Sequence, residues 1–424
     1  MTMNVLLVRY SPYWAAPLLD RDDVTLHVVQ ERTPQGLGAD ALARFGKVYY
    51  VSSFDALEEL SAVAADLLSE GVGIDKVVSS NEFSQYAAAY LAHLLSVDEP
   101  STSVVLATRD KRLMKRQAGA AGLHTARTRS VPDPASLVDG GDDALAELED
   151  AVGYPAVVKP ANGWGTVSTT VARDREELRA ALKDFRYAPE LRSQQLLVEE
   201  YIDGEEFHVD AVWRDGEPWV FCVSRYVTPP LRLREGAGPG LSVLLDADDH
   251  AGLYAEVREL HRRLNEQLGL TRGPTHLEFF REHGTGRLVF SEMASRLGGL
   301  TVAQLVGAGV GVDEREIAAH ELLDGDLAEL PLRRSRFRYV GMLNIIPSRS
   351  GRVTRIPSRE DLLAHDRVLD VSIGPSVGAE VTLGQSSASV CVMVIYGADS
   401  EEELLKTGTE LAEAHPVEVE VEVE

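Results

Sequence analysis

Two carboxylates in this chain are placed to do chemistry. Glu278 lies in Thr275-His276-Leu277-Glu278-Phe279-Phe280, and Glu292 opens Ser291-Glu292-Met293-Ala294-Ser295-Arg296-Leu297-Gly298-Gly299. Both segments read as short strands, and Gly284-Thr285-Gly286 between them reads as a hairpin turn. An antiparallel pairing can bring the two glutamates side by side on one face. Like charges that close repel unless a cation lies between them. Mg²⁺ suits such a place because it takes oxygen ligands and fills its shell with waters and phosphates. Arg296 follows on a glycine-rich turn, where a guanidinium can grip a carboxylate or a transferring phosphoryl group through two hydrogen bonds. Flanking Phe279, Phe280, Leu288, Val289 and Phe290 predict a packed hairpin, in which unpaired glutamates would be costly.

Further pieces fall in a consistent order along the chain. Arg109-Asp110-Lys111-Arg112-Leu113-Met114-Lys115-Arg116 starts a predicted helix at Asp110–Ala121. Tyr154-Pro155-Ala156-Val157-Val158-Lys159-Pro160 reads as a strand ending in a lysine, whose desolvated ammonium would seek an anion. In Asn162-Gly163-Trp164-Gly165-Thr166-Val167-Ser168 the glycines let backbone N–H groups approach phosphate oxygens. Glu199-Glu200-Tyr201-Ile202 is an extended segment whose backbone can hydrogen-bond a flat base, and Glu206 can accept from ribose hydroxyls. Each piece alone has a bland reading, as a solvated lysine or a hairpin turn; their joint order carries the weight.

In that order the chain resembles the ATP-grasp superfamily of carboxylate–amine ligases, over nearly its whole length. The resemblance implies an ATP-grasp fold with an N-terminal open α/β domain and a small C-terminal domain like that of biotin-carboxylase-type members. It implies that Lys111, Lys159, Gly163, Gly165 and Ser168 serve the ATP phosphates. Glu199, Tyr201 and Ile202 would serve adenine, and Glu206 the ribose. Mg²⁺, with Mn²⁺ as its substitute, would be held by Glu278 and Glu292, and Arg296 would be the catalytic residue. The Glu292-x-Ala294-x-Arg296 pattern looks most like the L-amino-acid ligases that make dipeptides. Many superfamily members carry Asn where this chain has Ala294, which leaves the metal number open. Asn81-Glu82-Phe83-Ser84 also looks like that subgroup. Glu82, His276, Gly298 and Gly299 are thereby placed at the substrate, although Glu82 reads equally well as a carboxylate facing a helix N-terminus.

The implied reaction is phosphorylation of a carboxylate by ATP, attack by an amine, and release of ADP and phosphate. The substrates would be small carboxylates and amines. Another ATP-grasp reaction, a carboxylate kinase and a non-catalytic nucleotide-binding module stay open. No attached biotin-carrier pattern is present, which weighs against a self-contained carboxylase.

Elements and composition must support this. At 424 residues there is room for several domains. We expect an α/β unit at 1–103, the nucleotide and metal unit at 104–328, and an α+β unit at 329–424. Val5–Val8, Val24–Val29, Val48–Val51 and Ile74–Ser79 read as strands, with helices at Ala56–Leu68 and Phe83–Leu95 and a linker at Val97–Ser103. No G-x-G-x-x-G follows the first strand, so a dinucleotide site is not indicated. Asp139–Asp143 reads as an exposed acidic loop and Arg232–Gly240 as a mobile loop over a cleft. Strands at Tyr339–Ile346 and Ser389–Tyr396 flank Gly351, Gly374, Gly378 and Gly384.

The net charge of −25 disfavours nucleic acid and anionic membranes as general partners. Cys222 and Cys391, both in apolar runs, fit buried free thiols in a reducing cytoplasm. The first residues read as a strand rather than a signal peptide, and no apolar run has the length of a membrane span. A homodimer is the expected assembly if the chain associates. The terminal Val-Glu alternation reads as either a last strand or a tail.

Overall fold

The structure, a computed structural model, describes residues 2–19, 21–33, 36–79, 81–188, 191–234, 238–383 and 390–420. Gly384, Ser389, the middle of the expected 232–240 loop and residues 421–424 of the Val-Glu repeat lie outside the described residues.

The N-terminal unit is a parallel sheet. Met3–Val8 pairs with Val24–Glu31 on one side and Lys76–Val78 on the other, and Val48–Val51 completes one edge. Side chains alternate across a strand. Leu6 and Val8 therefore face helices Leu57–Ser69 and Gln85–Leu95, while Val5 and Leu7 face the opposite layer with Ala15, Leu18 and Ala319. Asn81 caps the 3₁₀ turn Glu82–Ser84 by accepting from the Phe83 N–H. That turn points Glu82 out of the N-terminal unit toward the rest of the molecule.

A four-stranded antiparallel sheet follows, in the order Thr128–Val131, Leu196–Glu200, Ala156–Pro160, Thr170–Ala172. The largest element is an eight-stranded sheet. Its order is Leu288–Ala294, Gly273–Glu282, Gly204–Arg214, Glu217–Tyr226, Gly240–Leu244, Tyr339–Ile345, Val392–Ala398 and Val368–Ile373. This sheet runs without a break across the boundary expected near 328, so the middle and C-terminal units share one backbone ladder. One of its faces buries Trp213, Phe279, Leu277 and Tyr396, with Phe207 stacked on Phe279 and Trp213 donating to Thr275. The other face is polar at one end, where Glu206, His208, Asp210, His276, Glu278 and Glu292 alternate with those apolar residues.

Three local expectations change. Asp139–Asp143 is the junction of helices Pro134–Asp139 and Gly141–Val152, with Asp142 and Asp143 in a first turn, where acidic side chains oppose the positive end of the dipole. The 97–103 linker is shorter, because a helix already starts at Thr102. The stretch expected as a loop at 232–240 begins inside a short helix, Pro230–Arg234, and ends at a strand start. Both cysteines are buried and free, as expected.

Candidate active site

Between the four-stranded and eight-stranded sheets lies a cleft of about 380 Å³. Glu278 and Glu292 are direct cross-strand partners, a pairing the hairpin reading allows and a bulge after Glu278 sets, and both line the cleft. The turn between their strands falls at 283–287.

Lysines converge on these carboxylates from elements distant in sequence. Asp110 caps the helix Lys111–Ala120 by accepting from the Arg112 N–H, which sends Lys111 and Lys115 into the cleft from the first turns. Lys111 Nζ lies 2.6 Å from Glu292 Oε2 and donates to the Gly163 carbonyl at 2.7 Å. Lys159, at the end of its strand, is 3.9 Å from Glu292 Oε1 and ion-paired with Glu199. Lys115 Nζ is 3.3 Å from the other oxygen of Glu199. Burial alone would raise the Glu292 pKa, but Lys111, Lys159 and Lys115 outweigh it and hold it at about 2. Burial would lower Lys159; Glu199 and Glu292 outweigh that and raise it. Burial wins at Lys115, whose pKa falls below the ordinary value. At Glu206 the pull of Lys159 is too weak to win. Burial, then the charges of Glu278 and Glu292, push it well above the usual carboxylate range.

Arg296 reaches back to the N-terminal unit. Its Nε and the Nη1 of Arg109 both donate to the Glu82 carboxylate, and its own Nη1 donates to the Leu297 carbonyl at 2.6 Å. Burial would raise the Glu82 pKa; Arg296, Arg109 and Lys111 hold it at about 2. Glu82 is therefore engaged by two guanidiniums as well as lining the cleft. This differs from a carboxylate resting on its own helix N-terminus.

The glycine segment is a turn rich in left-handed backbone. Gly165, Thr166 and Ser168 all have positive φ, a conformation open to glycine and strained for the others. Trp164 packs edge-on against Phe83 at 4.4 Å, which ties this turn to the N-terminal unit beside Glu82.

The cleft lining brings together Glu82, Lys111, Lys159, Gly163, Gly165, Glu199, Tyr201, Ile202, Glu206, His276, Glu278, Glu292, Arg296 and Gly299. Two expected residues are not among them. The Ser168 hydroxyl instead accepts from the Ala188 N–H at 3.2 Å. Gly298 is a packing position: a Cβ there would lie 2.6 Å from Val302 and 2.9 Å from Asp210 Oδ1. The Glu199 side chain also does something other than face a base, since it bridges Lys115 and Lys159. Sequence reasoning missed roles for Lys115, Arg109, Tyr226 and Asp210. Lys115 is one helical turn beyond Lys111, a spacing that puts both on one face. Asp210 and Tyr226 sit in strands whose alternation with Phe207, Val209 and Val223 could have put them on the polar face.

The donor set fits a hard divalent cation. Glu278 and Glu292 offer carboxylate oxygens only, and Tyr226 fixes Glu278 with a 3.1 Å hydrogen bond. The three lysines and the glycine turn fit the phosphates of a nucleotide.

Residues 152–304 match the ATP-grasp domain, and residues 344–422 match the L-amino acid ligase C-terminal domain 2. The L-arginine-specific L-amino acid ligase of Bacillus subtilis is 25% identical over 362 residues, covering 84% of this chain and 83% of that one. An L-amino acid ligase from Bacillus licheniformis superposes with a TM-score of 0.76 at 19% identity, covering 99% of each chain. Phosphoribosylglycinamide synthetase from Anaerococcus prevotii, at 13% identity, shares the fold with a TM-score of 0.67 over 99% of this chain and 100% of that one. Fold, cleft and matched domains define an ATP-grasp enzyme, an ATP-dependent ligase forming C–N bonds. Within that superfamily its similarity is to the L-amino acid ligases, through the matched C-terminal domain and the Bacillus subtilis relative.

Proposed function

We propose that the chain joins small amino-acid-like substrates, activating the carboxylate of one as an acyl phosphate for attack by the amine of the other. The convergence of Lys111, Lys159, Glu278, Glu292 and Arg296 on one cleft, beside Glu82, carries this reading. A free carboxylate is a poor electrophile, so activation must precede amide formation. Lys111, Lys115 and Lys159 would bind and orient the phosphates of ATP, with Gly163 and Gly165 lending backbone N–H groups. The segment from Glu199 to Ile202 would take adenine, and Glu206 the ribose. Glu278 and Glu292 would hold Mg²⁺, which when bound offsets negative charge on the phosphates.

Arg296 is placed for charge that develops on the reacting carbonyl and phosphate oxygens. Its hydrogen bonds to Glu82 and to the Leu297 carbonyl fix its plane before substrate arrives, and such preorganisation is what makes a donor effective in the transition state. Glu82 in turn presents a carboxylate edge to a substrate ammonium. The Gly163–Val167 turn, clipped to Phe83 through Trp164, would keep water from the activated acyl group.

Amine dependence tests the reading. Amino acids supplied singly and in pairs should release phosphate from ATP, with the fastest release for pairs and a new peptide mass in those reactions. A phosphorylated amino acid accumulating at full rate with no amine acceptor would instead identify a carboxylate kinase.

A further inference from the structure

Behind Glu278 lies a buried polar chain that the reaction outlined above does not use. Asp210 is wholly buried, and its two oxygens are taken by two imidazoles: His208 Nδ1 at 2.6 Å and His276 Nδ1 at 2.7 Å. His276 then turns its Nε2 toward Glu278 Oε1, 3.5 Å away. All four residues come from adjacent antiparallel strands, with Asp210 opposite His276 and His208 opposite Glu278. Register alone therefore aligns them on the cleft face. The same Asp210 oxygen that meets His276 also abuts the Gly298 turn, two residues beyond Arg296, where a Cβ would come within 2.9 Å.

A buried His–Asp–His set can also be a metal site, and this one has the necessary atoms close together. The distances decide against that. Imidazole nitrogen and carboxylate oxygen bound to one Zn²⁺ each lie about 2.0–2.2 Å from the metal, which separates them by roughly 3.3 Å in a tetrahedral shell. Contacts of 2.6 and 2.7 Å are charge-assisted hydrogen bonds.

We propose that Asp210 is a positioning residue of the ligase site: by holding Nδ1 of His276 it fixes the ring and aims Nε2 at Glu278 and the substrate, with His208 as its second anchor. The proposal rests on the ligase reading for the identity of the substrate, and on geometry alone for the positioning. A carboxylate that accepts from a ring nitrogen selects the tautomer and orientation of that ring. His276 lines the cleft; Asp210 and His208 do not. Buried Glu314, whose oxygens have no hydrogen-bond partner, is close enough to feel the Asp210 charge. Burial and Asp210 push its pKa well above the usual carboxylate range.

Asp210→Asn tests this with almost no change of shape. The amide can still meet both rings, but one contact must then come from an N–H, so one imidazole has to change tautomer or turn away. Substrate-dependent phosphate release by the variant should show kcat reduced about ten- to a hundredfold with KM for ATP changed less than about threefold. The melting temperature should stay near that of the parent, and Asp210→Ala serves as the contrast that loses stability as well. Unchanged kcat in Asp210→Asn would overturn the proposal, as would stoichiometric zinc in the purified parent protein. If phosphate release falls as expected but the parent enzyme makes a phosphorylated acid and no amide, the positioning role stands and the ligase reading falls.

Discussion

Arg296→Ala is expected to lower kcat about a hundred- to a thousandfold, the cost of removing a preorganised donor from developing oxyanion charge. KM for ATP should move much less. The reason is what holds Arg296: its guanidinium is engaged by Glu82 and by the Leu297 carbonyl, while Lys111, Lys115 and Lys159 gather around Glu199 and Glu292. An interaction made chiefly in the transition state affects kcat and kcat/KM together and leaves ground-state binding alone. Arg296→Lys should recover little, because an ammonium keeps the charge but not the fork that meets two oxygens at once. Steady-state kinetics of both variants check this. A rise in KM for ATP with kcat intact would make Arg296 a nucleotide-binding residue.

Glu292→Gln is the second large effect. The substitution keeps shape and removes the charge that draws Lys111 and Lys159 together and that would face the metal. Loss of several kcal/mol of charge stabilisation corresponds to about a hundredfold or more in kcat/KM at limiting Mg²⁺. Excess Mg²⁺ should restore part of the activity, since a weakened site still fills by mass action. Thermal stability should change little by comparison, because Lys159 keeps Glu199 and Lys111 keeps the Gly163 carbonyl. A titration of activity against Mg²⁺ separates the two effects. Normal turnover of the variant at low Mg²⁺ would remove Glu292 from the metal site.

The hairpin that joins these glutamates was legible in the chain because local rules fix it. A Gly-Thr-Gly turn joins the strands, but the register next to it, Phe279 with Phe290 and Arg281 with Leu288, would set Glu278 opposite Ser291; a bulge between Glu278 and Phe279 is what brings Glu292 opposite it. The parallel N-terminal sheet was legible for a similar reason, as β-rich runs alternating with helices. What local rules do not show is how distant segments share a charge. Glu199 was read as base-binding backbone; its side chain serves Lys115 and Lys159, which only the pairing of Leu196–Glu200 with Ala156–Pro160 reveals. Glu82 was read either as a substrate-site carboxylate or against the dipole of its own helix; what its own segment could not show is that Arg109 and Arg296, far along the chain, are its partners. Ser168 looked like a loop hydroxyl for phosphate, and the loop's left-handed turns direct it to Ala188. Gly298 looked like a substrate contact, and close packing on Asp210 and Val302 explains it. The boundary expected at 328 falls between Gly240–Leu244 and Tyr339–Ile345, and that these two strands pair is a long-range contact that no local pattern shows.

The central claim is amide formation driven by an acyl phosphate, and the nucleotide product tests it most directly. With an active pair of amino acids, the nucleotide, phosphate and peptide from one reaction should be quantified together by chromatography and mass measurement. The account predicts ADP, phosphate and peptide in equal amounts, with no AMP. AMP and pyrophosphate appearing with the peptide would mean activation by adenylation, and would contradict it.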